Sequence, residues 1–146
     1  MQTNPKLQIF VSAAQNCAMQ MMSNSTYIQT ELPKLTLPEG AKAQIAALCD
    51  SLIATKHDVI SELFELSEVS ESSSPSNINE RVKMIIEWLW ETILEMHQVV
   101  QTLQTAAETD AQFSIGWLLV VESATNILNP FNRAAEAADA LQQPQQ

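Results

Sequence analysis

Apolar residues recur in alternating steps of three and four along most of the chain, which is the spacing of one face of an α-helix. The spacing is unbroken over two long series in the second half of the chain. These are Val82, Ile86, Leu89, Ile93, Met96, Val100, Leu103 and Ala107, then Phe113, Trp117, Val120, Ala124, Ile127, Phe131, Ala134, Ala138 and Leu141. The first half shows the same spacing, with Asn24 at the one seam position of its first segment that is not apolar. The pattern predicts four helices, over residues 5–31, 37–69, 78–108 and 111–141.

Polar and proline-containing stretches separate the four segments and indicate where each helix begins and ends. Pro33 follows the first segment, and Thr36-Leu-Pro-Glu39 fits a capping box at the start of the second. The polar run 70–76 is the clearest loop. Pro130 falls inside the fourth segment and removes one helical hydrogen bond there, so a kink is expected, with a break as the alternative.

Four segments of matched length with short connections are typical of an up-and-down helical bundle. The predicted fold class is therefore all-α, a four-helix up-and-down antiparallel bundle that forms a single domain over residues 1–141. Residues 142–146 make a Gln-rich tail that is expected to fray. Only two glycines occur in 146 residues, which argues against the Gly-rich phosphate loop of a Rossmann-type protein.

The charge balance is strongly acidic and restricts the range of partners. Lys and Arg number 7 and Asp and Glu number 17, giving a formal net charge of −10. Seven cations are too few for the phosphate contacts that nucleic-acid affinity requires, and the same balance disfavours an anionic membrane surface. The longest apolar run, 115–121, is far shorter than the roughly 20 residues that a membrane crossing requires. Neither nucleic acid nor a membrane is expected as a partner.

The cysteines and the N-terminal segment bear on the cellular compartment. Cys17 and Cys49 have no metal-type spacing and are too few for a disulfide framework. If the first two helices are antiparallel neighbours, the two thiols lie within about one turn of each other. Two reduced, buried thiols are expected, with a disulfide as the open alternative. The first 15 residues hold one Lys and an interrupted apolar stretch, unlike a signal peptide, so a cytoplasmic location is expected.

Acidic residues concentrate between Asp58 and Glu95, where nine acids accompany only two cations, Arg81 and Lys83. Three of these acids lie in the last turns of the second predicted helix or just beyond its end, where the helix dipole disfavours anions. They are Glu65, Glu68 and Glu71. Because acids at this end of a helix destabilise it, their presence favours a role in binding, as a docking surface for a basic protein partner. The alternative is a solvated face that keeps the protein soluble.

Two tryptophans flank the seam of the third predicted helix. Trp88 and Trp90 lie about 100° to either side of Leu89. Either both side chains widen the bundle core, or an exposed tryptophan edge anchors a protein interface, where Trp is enriched. Three methionines within residues 19–22 give the first helix an adaptable surface, which leaves a homodimer open.

Carboxylates spaced three residues apart supply an alternative, enzymatic interpretation. Glu62-Leu-Phe-Glu65 and Glu136-Ala-Ala-Asp139 are similar to the Glu-x-x-Glu and Glu-x-x-Asp pairs with which all-α nucleotide pyrophosphatases hold Mg²⁺. The resemblance implies an enzyme or ligand-binding bundle with a carboxylate-bound divalent metal, although the two pairs lie some seventy residues apart, unlike the close spacing in that family. The implied ligands are Glu62, Glu65, Glu136 and Asp139.

The sequence as a whole favours a binding protein over an enzyme, because no nucleophile–base pair or phosphate loop stands out. We expect a non-catalytic helical-bundle protein that acts through protein–protein interaction, as an adaptor, regulatory or assembly subunit. No cofactor and no resident metal are expected.

Overall fold

The computed structural model describes residues 5–69 and 75–142. Four α-helices account for nearly all of this part of the chain, namely α1 (Pro5–Glu31), α2 (Glu39–Val69), α3 (Pro75–Ala107) and α4 (Phe113–Gln142). A short 3-10 helix, Leu32–Lys34, follows α1, and the described residues contain no strand. Most of the predicted loop over 70–76, with Glu71 in it, and the predicted tail beyond residue 142 lie outside the described residues.

The four helices form a ring in which each packs against its two neighbours. Consecutive helices contact one another and α4 returns to α1, while α1 and α3 lie diagonally opposite and touch little. Neighbouring helices run in opposite directions. Ile9, early in α1, shares a groove with Ala137, late in α4, and the Ser25 hydroxyl late in α1 donates to the carbonyl of Cys49 in the first half of α2. The predicted all-α, four-helix up-and-down antiparallel bundle is confirmed.

The predicted seam residues turn inward and form the core between the helices. Leu89, Met96 and Leu103, spaced two turns apart on α3, are almost fully buried, and burial of each such side chain contributes roughly 1.5–3 kcal/mol. Val100 of the α3 series and Ala124 of the α4 series are only partly buried. Both line the groove where α3 meets α4, so the core is not fully covered at this edge.

The start of α2 differs from the prediction. The helix begins at Glu39, and the carbonyl of Pro38 accepts its first helical hydrogen bond from the N–H of Lys42 at 3.1 Å. The predicted capping box at Thr36 is therefore wrong. The physical reason is that the ring of Pro38 disfavours the helical conformation for the preceding residue, Leu37, whose side chain is buried in the core instead.

The other helix ends lie close to the predicted ones. α1 has the predicted bounds, whereas α3 begins at Pro75, three residues early, because proline suits the first turn of a helix, where its missing N–H costs nothing. Pro130 is buried inside α4, and the helix continues through it. Of the two alternatives at this proline, the break is not observed.

Gly116 of α4 permits a close approach by the segment that leads into α2. A Cβ at position 116 would lie 3.0 Å from Cδ1 of Leu37 and 3.8 Å from Cδ1 of Ile45. Glycine inside a helix costs about 0.5–1 kcal/mol relative to alanine. The packing of Leu37 against the bare backbone offsets that cost.

The polar seam position of α1 is satisfied by a residue of α4. Asn24 is buried, and its Nδ2 donates to the carbonyl of Gln20 at 2.7 Å. Its Oδ1 accepts a hydrogen bond from Nδ2 of Asn126 at 3.1 Å. Buried polar groups require such partners, so this contact fixes the axial position of α1 relative to α4.

Candidate functional site

An apolar groove lies between α3 and α4. Its volume is about 270 Å³. Its lining residues are Trp90, Ile93, His97 and Val100 of α3, with Val121, Ala124, Thr125 and Leu128 of α4. We call this feature the α3–α4 groove. It lies at the edge where the seam residues Val100 and Ala124 are incompletely covered.

Trp90 forms one end of the α3–α4 groove and is held in place by its neighbour on α4. Its ring stacks on that of Phe131, with 5.4 Å between ring centroids and an interplanar angle of 28°. Phe131 is buried, whereas Trp90 remains 43% exposed. Leu128, on the opposite side of the groove, is also 40% exposed. The groove therefore presents a fixed aromatic surface and an aliphatic side chain to the solvent.

The helical geometry explains why Trp90 and Trp88 differ. Both flank the buried Leu89, but Trp88 is partly buried against the core. Thr92, one turn beyond Trp88 on the same face of α3, contacts Thr55 of α2. The Trp88 side of α3 is therefore covered by α2. The Trp90 side meets α4 only at its inner edge, so Trp90 alone of the two candidate tryptophans lines the groove.

Acidic residues outnumber basic ones along the helices that line the α3–α4 groove, where Lys83 and Arg133 stand at either end of the acidic stretch. Residues 84–132, which build the groove and the connection between its two helices, contain six acids and neither Lys nor Arg. The acids are Glu87, Glu91, Glu95, Glu108, Asp110 and Glu122. Glu87 and Glu91 are exposed on α3, three residues before and one residue after Trp90. Acidic side chains thus lie beside the exposed aromatic ring.

The acidic end of α2 is partly neutralised by α3. Nη1 of Arg81 lies 3.0 Å from Oε1 of Glu62 and 3.7 Å from Oε2 of Glu65. The Glu62 side chain is only 13% exposed, so this ion pair is shielded from water more than most surface pairs. Glu65, one of the three candidate docking acids, therefore has a cationic neighbour. Glu68 is exposed, and Glu71 lies outside the described residues.

The four alternative metal ligands are not brought to a common centre. Glu62 and Glu65 face Arg81, whereas Glu136 lines a separate groove between α4 and α1 together with Arg133. Asp139 is exposed near the end of α4. Within residues 5–69 and 75–142, no group of three or more His, Cys, Asp and Glu side chains could hold a metal ion.

The two cysteines are buried free thiols that lie far from each other. Ser25 bonds to Cys49 across the α1–α2 interface, and Ser25 is eight residues, or roughly 12 Å, along α1 from Cys17. The predicted separation of about one turn is therefore wrong, because Cys49 lies level with Ser25, about two turns along α1 from Cys17. Burial raises the pKa of the Cys17 thiol to about 12. Burial also raises the pKa of Cys49, and this effect outweighs the hydrogen bond with Ser25, which lowers it. Protonated thiols are poor nucleophiles.

Two buried polar atoms have no hydrogen-bond partner in the described part of the chain, Nε1 of Trp117 and Oγ of Ser123. Neither residue lines the α3–α4 groove.

Sequence reasoning missed the α4 side of the groove. A signal was present, because Val121 and Leu128 lie three residues before and four residues after the seam residue Ala124. These steps widen the apolar face of α4 toward α3, as Trp90 widens the face of α3 toward α4.

Comparison of the chain with protein-family models, curated proteins and solved structures gives no match. Among the described helices, none is both long enough and apolar enough to cross a membrane. The site is therefore characterised by its own geometry and charge.

Proposed function

We propose that this protein is a non-catalytic helical bundle that acts by binding another protein through the α3–α4 groove. The observation that carries the proposal is the position of Trp90, which is stacked on Phe131 yet 43% exposed beside an apolar groove. Tryptophan is enriched among residues that dominate binding energy at protein interfaces. A ring already held by a neighbour loses little conformational freedom on binding.

The charge around the groove indicates what kind of partner it accepts. The net charge of −10 and the absence of Lys and Arg from residues 84–132 favour a partner with a basic surface, which such a field would steer toward the groove. The role is that of an adaptor, regulatory or assembly subunit in the cytoplasm.

The experiment is affinity capture from native extract with two matched double variants. Trp90→Ser/Leu128→Gln removes the two exposed apolar side chains of the groove. Phe64→Gln/Tyr27→Gln removes two exposed apolar side chains, 65% and 49% exposed, from α2 and α1. The groove variant is expected to lose a stoichiometric protein that wild type and the control variant retain. Circular dichroism and thermal melting establish that all three proteins are folded.

Two outcomes contradict the proposal. Retention of the same partner by the groove variant moves the interface to another surface. Loss of the partner from Glu65→Gln/Glu68→Gln/Glu71→Gln, with retention by the groove variant, assigns the interface to the acidic end of α2.

A further inference from the structure

We infer that the occupant of the α3–α4 groove is an amphipathic α-helix of a partner protein, with Lys or Arg beside its apolar face. This inference rests on the proposed function and specifies the partner's chemistry. It follows from the length of the groove, from its volume and from the charges around it.

The length of the groove matches a short stretch of helix. Trp90 and Val100 are ten residues apart on α3, or roughly 15 Å along its axis, and Val121 and Leu128 are separated by roughly 10 Å on α4. Apolar side chains at positions i, i+3 or i+4, and i+7 of a bound helix span roughly 10 Å. Two to three turns of helix therefore fill the groove. A peptide that binds by strand addition would require a free strand edge, and the described residues contain no strand.

The volume of the groove favours side chains over a small-molecule ligand. Ligand pockets typically enclose about 300–1,000 Å³ and bury most of the ligand surface. The α3–α4 groove has about 270 Å³, which is below this range. Its polar lining residues are limited to His97 and Thr125, which supply little of the directional hydrogen bonding that a small polar ligand needs.

Charge distinguishes a basic partner helix from a second copy of this chain. Pairing two α3–α4 grooves would bring the acids of both copies together, with no Lys or Arg from residues 84–132 of either copy to compensate. Like charges across an interface oppose association. Glu87 and Glu91, beside Trp90, are instead placed to pair with cations that flank the apolar stripe of a partner helix.

The test uses three stapled peptides of about 18 residues, a length at which the staple keeps all three helical. The first carries Leu at i, i+3, i+4 and i+7 with flanking Lys. The second replaces each Lys by Glu, and the third has the composition of the first but no apolar face. Affinities come from fluorescence anisotropy at about 50 mM and about 300 mM salt. Binding positions come from amide chemical-shift changes.

The Lys-flanked peptide is expected to bind at least about tenfold more tightly than either of the others, with shifts centred on the groove. Glu87→Gln/Glu91→Gln is expected to weaken it about fivefold at low salt and to reduce its salt dependence. Glu136→Gln/Asp139→Asn removes the same charge from the far end of α4, and it is the matched control expected to leave the affinity unchanged.

Equal binding of the Glu-flanked peptide overturns the charge requirement, and equal binding of the peptide without an apolar face overturns the helix-in-groove geometry. Shift changes centred on Glu62–Glu68 overturn the location. If the peptides give any of these results but Trp90→Ser/Leu128→Gln loses the natural partner in the affinity capture, the groove binds a different kind of occupant. In that case only this inference fails. If the natural partner is also retained by that variant, the proposed function fails as well.

Discussion

A pair of threonine hydroxyls across the α2–α3 interface offers a quantitative test of the bundle interior. Thr55 of α2 and Thr92 of α3 are hydrogen-bonded to each other. Thr92 is 7% exposed, and its hydroxyl donates to the carbonyl of Trp88 at 3.2 Å. Because a threonine hydroxyl has one proton, Thr55 is the donor between the two threonines. Replacement of either threonine by valine removes the hydroxyl and nearly preserves the shape.

The expected magnitudes follow from which groups lose their partners. Thr92→Val removes the hydrogen bond to Trp88 and leaves the half-buried Thr55 hydroxyl without an acceptor, so we expect a loss of about 2 kcal/mol in the free energy of unfolding. Thr55→Val removes one hydrogen bond and leaves the Thr92 donor satisfied, so we expect about 1 kcal/mol. The double variant leaves no unpaired hydroxyl. It is therefore expected to cost about 1 kcal/mol less than the sum of the single variants.

Urea denaturation followed by circular dichroism measures the three free energies, and a change of 1 kcal/mol corresponds to roughly 2–4 °C in Tm for a chain of this length. Thr102→Val is the matched control. Its hydroxyl is exposed and donates to the carbonyl of Gln98 within α3 at 2.9 Å, so its effect is expected to stay within about 0.5 kcal/mol. Strict additivity of the two buried substitutions, or an equal cost for the control, would refute this reasoning.

Two further predictions concern the glycines and the buried thiol. Gly40→Ala is expected to stabilise the protein by about 0.5 kcal/mol, because nothing lies within 4 Å of the new Cβ. Gly116→Ala must displace Leu37, so this variant is expected to melt at a lower temperature than Gly40→Ala. Equal Tm values for the two variants would contradict this prediction. The raised pKa of Cys17 keeps its thiol protonated in the folded state above pH 9.0, whereas the same thiol ionises in the unfolded chain. Because the folded state then binds more protons, the free energy of unfolding falls as pH rises from 9.0 toward about 12. The expected loss is about 1.4 kcal/mol per pH unit within that window, and urea titrations at successive pH values are expected to show a shallower decline for Cys17→Ala than for wild type.

The fold could be predicted from the sequence because the alternating three- and four-residue spacing is a local property of each segment. Leu89 shows this, since its place in the apolar series was enough to predict its burial. The start of α2 was mispredicted although its cause is local, since Pro38 disfavours the helical conformation of Leu37 before it. The packing partner of Leu37 could not be predicted in the same way, because it is Gly116, a residue nearly eighty positions away in the chain.

The candidate site was only partly predictable, for a related reason. The sequence placed Trp88 and Trp90 on opposite sides of one seam, but which neighbouring helix covers each side is decided by the ring order of the bundle. The sequence also did not show that the acids at the end of α2 have a cationic neighbour on α3. Arg81 reaches back to Glu62 and Glu65 only because α2 and α3 are adjacent and antiparallel.

The most direct measurement of whether the α3–α4 groove binds a protein is site-specific photo-crosslinking. A photoreactive amino acid replaces Thr125, which is exposed in the groove, and in a matched protein it replaces Ser61, which is exposed on α2. We predict one crosslinked product of defined mass from position 125 in native extract, absent from position 61 and suppressed by the Lys-flanked peptide. No product at position 125, or the same products from both positions, would contradict a protein-binding role for the groove.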